Sequence, residues 1–252
     1  MLITVDGLVI ARRDAGDSSC YVDILTEEYG VIEILARGVK KITSQNAPSA
    51  AIFTYAVFCL DKKALTYTLN SARSKYSFHN LSADMRTLSL AAYFSEVIKY
   101  ASASEQNNGG ALRLMLMALY ELEKGRTPAL IKAVFELRAS SELGMAPNLV
   151  ACANCARYAG GNMFLPVKDG VIFCEDCYGA AGAAGAVFKM PPEVLKAARY
   201  TLYSPPERIF KFRAPENVLK EFSAIAEEYL LYHLGRGFKT LEYYKGLNKI
   251  ND

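Results

Sequence analysis

Tryptophan is absent from the 252 residues, and histidine occurs only twice, at His79 and His233. Imidazole is the side chain that titrates near neutrality, so two isolated histidines support little general acid–base chemistry; structural roles are expected for both. No G-x-S-x-G elbow, no H-E-x-x-H and no G-x-G-x-x-G following a strand is present, so the common nucleophile, zinc-hydrolase and dinucleotide signatures are missing. Gly235–Thr240 superficially resembles a phosphate loop but lacks the required G-x-x-x-x-G-K-[ST] spacing. Carboxylates such as Asp23, Glu27, Glu96, Glu136 and Glu142 fall at no spacing that defines a catalytic pair. These absences argue against an enzyme. No apolar run reaches the roughly 20 residues of a membrane span. The N-terminus, MLITVDGLVIARR, does not place charge before an unbroken apolar stretch. A cytoplasmic location is therefore expected. A one-signed charge excess is also lacking. The net charge is +3, and residues 1–80 carry nine Lys/Arg against eight Asp/Glu, so any anion-binding surface must arise from local arrangement.

What is present reads as a globular chain of one or two domains, 52% hydrophobic and 22% charged. Its fold class is α+β. Five β-branched, alternating runs occupy the first 75 or so residues: Ile3–Arg12, Cys20–Thr26, Val31–Ala36, Ile52–Asp61 and Leu65–Ala72, the last two joined by Lys62-Lys63-Ala64. That count and size fit a small closed barrel. The oligonucleotide/oligosaccharide-binding (OB) fold is the leading candidate, and an SH3-like barrel is the competing topology. The pattern then turns helical. Asp84–Ala103 is apolar nearly all round, as a buried helix is; Glu105–Gly110 breaks it and Ala111–Lys124 resumes. Thr127-Pro128 opens a helix that Gly144 stops. Ala180–Ala186 reads as a Gly/Ala linker, and prolines open two further helices, Pro191–Tyr203 and Pro215–Leu234. The expected organisation is a nucleic-acid-binding barrel over residues 1–80 and a mostly helical domain over 81–252 with an inserted cysteine module at about 148–180.

Six cysteines are present. Cys20 and Cys59 lie singly in strand-like runs and read as core residues. The other four form Cys152-Ala153-Asn154-Cys155, then eighteen residues, then Cys174-Glu175-Asp176-Cys177. Two residues between cysteines let a tight knuckle turn both sulfurs toward one ion, and two knuckles complete a tetrahedral shell of four thiolates. Met163–Val167 and Val171–Phe173 can pair around Lys168-Asp169-Gly170 and bring the second knuckle back to the first. Four thiolates leave no open position, so one structural zinc is expected. A dithiol redox pair and two incidental pairs are the rival readings; no thioredoxin-like βαβ pattern surrounds either pair.

Arg37-Gly38-Val39-Lys40-Lys41 places three cations and a glycine at the end of the third strand, where backbone and charge can both approach phosphate. Arg12 and Arg13 end the first strand, and Arg73 and Lys75 lie near the end of the fifth. Phe53, Tyr55, Phe58 and Tyr67 could stack on bases, although alternation requires most of them to fill the barrel. Charge spacing does not by itself separate a phosphate-binding groove from a solvated face. Arg208, Lys211 and Arg213, and Arg236 with Lys239, read as solvated surface.

The run Leu25-Thr26-Glu27-Glu28-Tyr29-Gly30, followed by Ala36–Lys41, resembles the opening of the bacterial RecO family of recombination and repair proteins. The cysteine insert and the closing Tyr232-His233-Leu234-Gly235-Arg236 with Phe238–Leu241 are similar to the same family. The resemblance covers essentially the whole chain. It implies an N-terminal OB-fold, a helical C-terminal domain and a zinc module. It implies binding to single- and double-stranded DNA, annealing of complementary strands and a nucleoid-associated place in the cytoplasm. It implies partnership with RecR and with the C-terminal tail of the single-stranded-DNA-binding protein in loading RecA. Arg37, Lys40 and Lys41 match the family's basic stretch and the four paired cysteines its zinc ligands; no catalytic residue is implied. Here Thr43-Ser44-Gln45-Asn46, directly after the basic stretch, is uncharged. Two other classes remain open: an interaction adaptor that binds no DNA, and a barrel enzyme acting on nucleic acid or saccharide.

Overall fold

The structure, a computed structural model, describes residues 1–102, 109–181 and 185–249. Of the break expected at Glu105–Gly110, residues 105–108 lie outside the described residues, as does the centre of the expected Gly/Ala linker, while Gly109 and Gly110 are helical. By internal contacts the chain forms two compact units, one of Met1–Lys124 with Phe238–Asp252 and one of Gly125–Gly237.

In the first unit, strands β1 (Leu2–Asp14), β2 (Cys20–Thr26), β3 (Gly30–Ala36), β4 (Thr54–Lys63) and β5 (Thr66–Ser77) close into a barrel in the order β1-β2-β3-β5-β4. This is the five-stranded OB-fold barrel. All pairings are antiparallel except β3 with β5. Closure depends on the long first strand, whose N-terminal half pairs with β4 and whose C-terminal half pairs with β2, with a register shift between Val9 and Ala11. Gly7 sits where the two pairings overlap, opposite both Thr26 and Ala56. A Cβ there would lie 3.3 Å from side-chain atoms of Ile24 and Thr26, so the close approach of strands favours glycine. Inward residues alternate along each strand: Val22 and Ile24, Ile32 and Ile34, Phe58 and Leu60, Tyr67 and Leu69. Cys20 is fully buried among them, as expected. Cys59 is not: it lies on the outward parity of β4 and is half-buried. The hairpin between β4 and β5 also turns one residue later than expected, at Ala64-Leu65, with Ala64 in the left-handed region at φ 52°.

Helices α1 (Met85–Ala101), α2 (Gly109–Glu123) and α7 (Lys239–Lys249) belong to the same unit. Asp84 caps α1 by accepting a hydrogen bond from the Arg86 backbone N–H. Leu90, Ala91, Tyr93, Phe94, Val97 and Ile98 are buried on several sides of α1. Tyr93 meets Phe238 edge-on at 5.8 Å, and Thr240 Oγ1 donates to Glu96 at 2.6 Å.

The second unit packs α3 (Pro128–Glu142) on α6 (Glu216–Leu234), with α5 (Pro192–Tyr203) beside them. Pro128 starts α3 as expected, but the Thr127 side chain makes no capping bond. Gly144, at φ 78°, follows the helix end. A small sheet, β7 (Phe173–Cys174), β6 (Met163–Pro166) and β8 (Val187–Met190), stands beside α4 (Glu175–Ala181). Of the residues expected as a linker, Ala180 and Ala181 lie in α4, and Gly185 and Ala186 directly precede β8. No helix among the described residues is long and apolar enough to cross a membrane.

Candidate nucleic-acid interface and metal centre

The β1–β2 loop and the turn after β3 are tied together before any ligand is considered. The Gly38 backbone N–H donates to Ser19 Oγ at 3.2 Å, and that of Lys40 donates to the Ser18 carbonyl at 2.9 Å. The Lys40 ammonium reaches back to Asp14 at 2.6 Å and to the Gly16 carbonyl at 3.1 Å. Its hydrogen bond holds the Asp14 carboxyl below the ordinary carboxylate value. These contacts frame an open depression of about 670 Å³ lined by Ala15, Ser18, Ser19, Tyr21, Leu35, Arg37, Gly38 and Lys41. Tyr21 and Leu35 are register partners on β2 and β3.

Among the described residues, Arg37 and Lys41 are exposed and make no ion pair, so two fixed positive charges stand free at the rim. The other expected cations are arranged differently. Arg13 lies over the Tyr21 ring, 4.3 Å from its centroid, and is ion-paired with Glu33. Arg12, Arg73 and Lys75 do not line the depression. Arg12 is exposed and acts on Cys20, whose thiol is pushed up by burial and pulled partly back by the guanidinium. Lys75 pairs with Asp6 at 2.7 Å and sits over Tyr55. Of the candidate stacking aromatics, Phe53, Phe58 and Tyr67 are buried and Tyr55 is half-buried. Tyr21 takes the outward position in the groove instead. Period-two alternation around inward Cys20, Val22 and Ile24 is the signal that finds it. The uncharged stretch after Lys41 has a structural role: Asn46 donates to the Asn70 carbonyl at 3.3 Å and accepts from the Ala72 N–H at 2.9 Å, stitching the loop to β5. Of the two histidines, His79 is exposed and hydrogen-bonded to the Ser77 carbonyl, while the His233 ring meets the Val167 carbonyl at 3.0 Å.

The four paired cysteines come together. All are free thiols, and their sulfurs lie within 4.8 Å of one another. A tetrahedron of sulfurs with metal bonds of ~2.3 Å has edges of ~3.8 Å; the Cys155 and Cys174 sulfurs are 3.7 Å apart. The first knuckle is closed by backbone bonds from Ala156 to Cys152 and from Cys152 to Arg157, with Ala156 in the left-handed region. The second is formed where β7 runs into the first turn of α4. Burial disfavours the Cys152 thiolate, but N–H groups of Cys155, Cys174 and Asn154 outweigh it and bring the thiol down to about 6. At Cys177 the Asn154 amide favours the thiolate, yet hydrogen bonds with the Cys174 and Cys155 thiols prevail and push it up to about 12. Four sulfurs this close cannot all ionise without a cation between them. The donor set fits one thiophilic divalent ion and leaves no ligand position open.

Arg199 of α5, which sequence reading passed over, fastens this module. Its guanidinium donates to the carbonyls of Leu149 at 2.7 Å and of Val150 and Tyr158 at 2.8 Å, and it lies 4.1 Å from the Tyr158 ring centroid.

Barrel, helices and cysteine cluster together define an OB-fold protein with a four-cysteine cluster that could hold a metal ion. The model described as "Recombination protein O N terminal" matches residues 1–78, and that described as "Recombination protein O C terminal" matches residues 82–242. The chain belongs to the RecO family. It is 28% identical over 244 residues to the DNA repair protein RecO of Alkaliphilus metalliredigens, covering 96% of this chain and 98% of that one. It is 27% identical over 249 residues to that of Acetivibrio thermocellus, covering 98% of both chains. To that of Desulfitobacterium hafniense it is 32% identical over 184 residues, covering 71% of this chain and 67% of that one.

Proposed function

We propose that the protein is a non-enzymatic mediator of DNA repair and recombination. In this reading residues 1–80 bind single- and double-stranded DNA, and the protein anneals complementary strands. With RecR it helps to load RecA on DNA coated by the single-stranded-DNA-binding protein. The observation that carries the reading is the depression on the β2–β3 face, with Arg37 and Lys41 unpaired at its rim. OB-folds bind oligonucleotides on the face of strands 2 and 3, between the first and fourth loops. Cations there supply phosphate contacts, and Tyr21 supplies a ring for a base. Lys40, committed to Asp14, shapes the loop that presents its neighbours. Family membership supports a role in DNA repair.

The helical region, residues 81–252 in this division, carries one zinc held by Cys152, Cys155, Cys174 and Cys177. A groove of about 550 Å³ on α5, lined by Val150, Tyr158, Lys196, Tyr200 and Tyr203, offers apolar walls with an exposed ammonium that makes no ion pair among the described residues. It suits an acidic, apolar tail such as that of the single-stranded-DNA-binding protein.

The test is binding of fluorescently labelled oligothymidine and of mixed-sequence strands to the wild type and to Arg37→Glu/Lys41→Glu. The double variant is expected to bind all sequences more weakly, with the salt slope reduced by ~0.7 per lost contact. Unchanged affinity and slope would refute the assignment.

A further inference from the structure

One carboxylate stands on the path a strand would take. Glu33 of β3 is exposed, pairs in register with Asp23 of β2, and forms an ion pair with Arg13. Arg13 is held at a second point, over the ring of Tyr21, its register partner across β1 and β2. Tyr21 is itself a wall of the depression, beside Leu35, Arg37 and Lys41. The guanidinium therefore covers a ring face on which a base would stack, and Glu33 fixes it there. Both side chains of the pair are open to water, 58% and 43% exposed. Such pairs are weak, each worth at most about a factor of five in an equilibrium.

A single strand brings both groups needed to displace this arrangement. A base can take the Tyr21 ring, and a phosphate can take the Arg13 guanidinium. Glu33 is then left unpaired beside a polyanion. Each binding event must break the Arg13–Glu33 pair and accept the repulsion of the freed carboxylate.

We propose that Glu33 sets the affinity of the barrel for single-stranded nucleic acid, acting as a displaceable clamp that holds Arg13 over Tyr21. It keeps binding weaker and more readily reversed than the cations alone would make it. The proposal rests on the barrel-face reading above and adds a positioning residue that opposes binding.

The absence of tryptophan supplies the test. Tyr21→Trp introduces a sole indole, whose emission a stacking base quenches. Oligothymidine is titrated into Tyr21→Trp with and without Glu33→Gln, and into the wild type, Glu33→Gln, Arg13→Gln and the Glu33→Gln/Arg13→Gln double variant by fluorescence anisotropy. Glu33→Gln is expected to bind about three- to five-fold tighter. Its salt slope should steepen by up to ~0.7, because binding no longer frees a carboxylate that draws a cation back beside the strand. The gain should shrink when Arg13→Gln is also present, to the part that comes from removing the carboxylate's repulsion alone, and the indole should be quenched at saturation. Unchanged or weaker binding by Glu33→Gln, while wild-type binding still depends on Arg37 and Lys41, would overturn the clamp alone. So would a gain of undiminished size with Arg13→Gln. No binding by the wild type would overturn the barrel-face reading and the clamp with it.

Discussion

Lys132 lies on α3, 4% exposed, with its ammonium 2.9 Å from Glu136 and 2.8 Å from Glu227 of α6. Ser223 of α6 completes the shell at 3.4 Å. Burial disfavours the ammonium, but the two carboxylates outweigh it and raise the lysine above its ordinary value. The sign follows: this group stabilises the fold below the unfolded lysine value, near 10.5, and the contribution is lost as pH rises through the higher folded value. Lys132→Met keeps the length and removes the charge, leaving two carboxylates facing each other across α3 and α6. Breaking a buried pair from one side costs ~3–5 kcal/mol. A bound comes from protonation, since neutralising one ordinary glutamate at pH 7 costs ~3.7 kcal/mol. The variant is therefore expected to lose ~3–4 kcal/mol at pH 7. Because its folded state then takes up about one extra proton, the deficit should shrink by roughly 1.4 kcal/mol per unit as pH falls toward 5. Urea unfolding followed by far-ultraviolet circular dichroism at pH 5 and 7 measures both quantities. Adding Glu136→Gln and Glu227→Gln should recover much of the loss, because no unpaired charge remains. A deficit under about 0.5 kcal/mol, the scatter of an ordinary surface change, would refute the reasoning. A deficit equal at both pH values would assign the effect to packing instead.

Two other outcomes are expected. The purified protein should carry about one zinc per chain by elemental analysis, and removing it with a chelator should loosen residues 148–180, seen as faster proteolysis there; a metal-free protein of equal stability would remove zinc from the account. Gly170→Ala should destabilise the second unit by more than the ~1–2 kcal/mol of a left-handed alanine, since a Cβ there would lie 2.8 Å from the Tyr229 hydroxyl, itself bonded to the Met145 carbonyl at 3.0 Å; thermal unfolding within 1 °C of the wild type, roughly the reach of a silent change, would show that the contact relaxes.

The parts of the fold legible in the sequence are those with a local period. Alternation found all five barrel strands, and proline and glycine marked the ends of α3. Cysteine spacing placed four sulfurs in one cluster because a knuckle is a local structure. What escaped notice depends on partners remote in the chain. Strand β8 has four residues and exists because it pairs with β6. Helix α7 is mostly polar, and its buried Leu241 and Tyr244 are too few to make a stripe. Arg199 looks like any surface cation on α5 until the carbonyls of Leu149 and Tyr158 are brought to it, 50 and 41 residues away in sequence.

Charge is where counting along the chain misleads most. Nine cations against eight acids in residues 1–80 suggests a nearly neutral barrel without a binding face. The fold distributes them unevenly. Asp6, Asp14 and Glu33 take Lys75, Lys40 and Arg13, the first of these across 69 residues. Among the described residues Arg12, Arg37, Lys41 and Arg73 are left without an ion pair, and two of the four stand at one depression. Local arrangement thus creates a positive site that composition conceals, and it also limits that site. The run of strand-end cations suggests affinity that collapses with salt, but two or three phosphate contacts predict a slope of only about −1.4 to −2.1 for single strands. Raising salt from about 50 to 200 mM should then weaken binding roughly 7- to 18-fold. Under the proposed function, a site so built would release its strand readily, which suits a protein that hands DNA on rather than one that stores it.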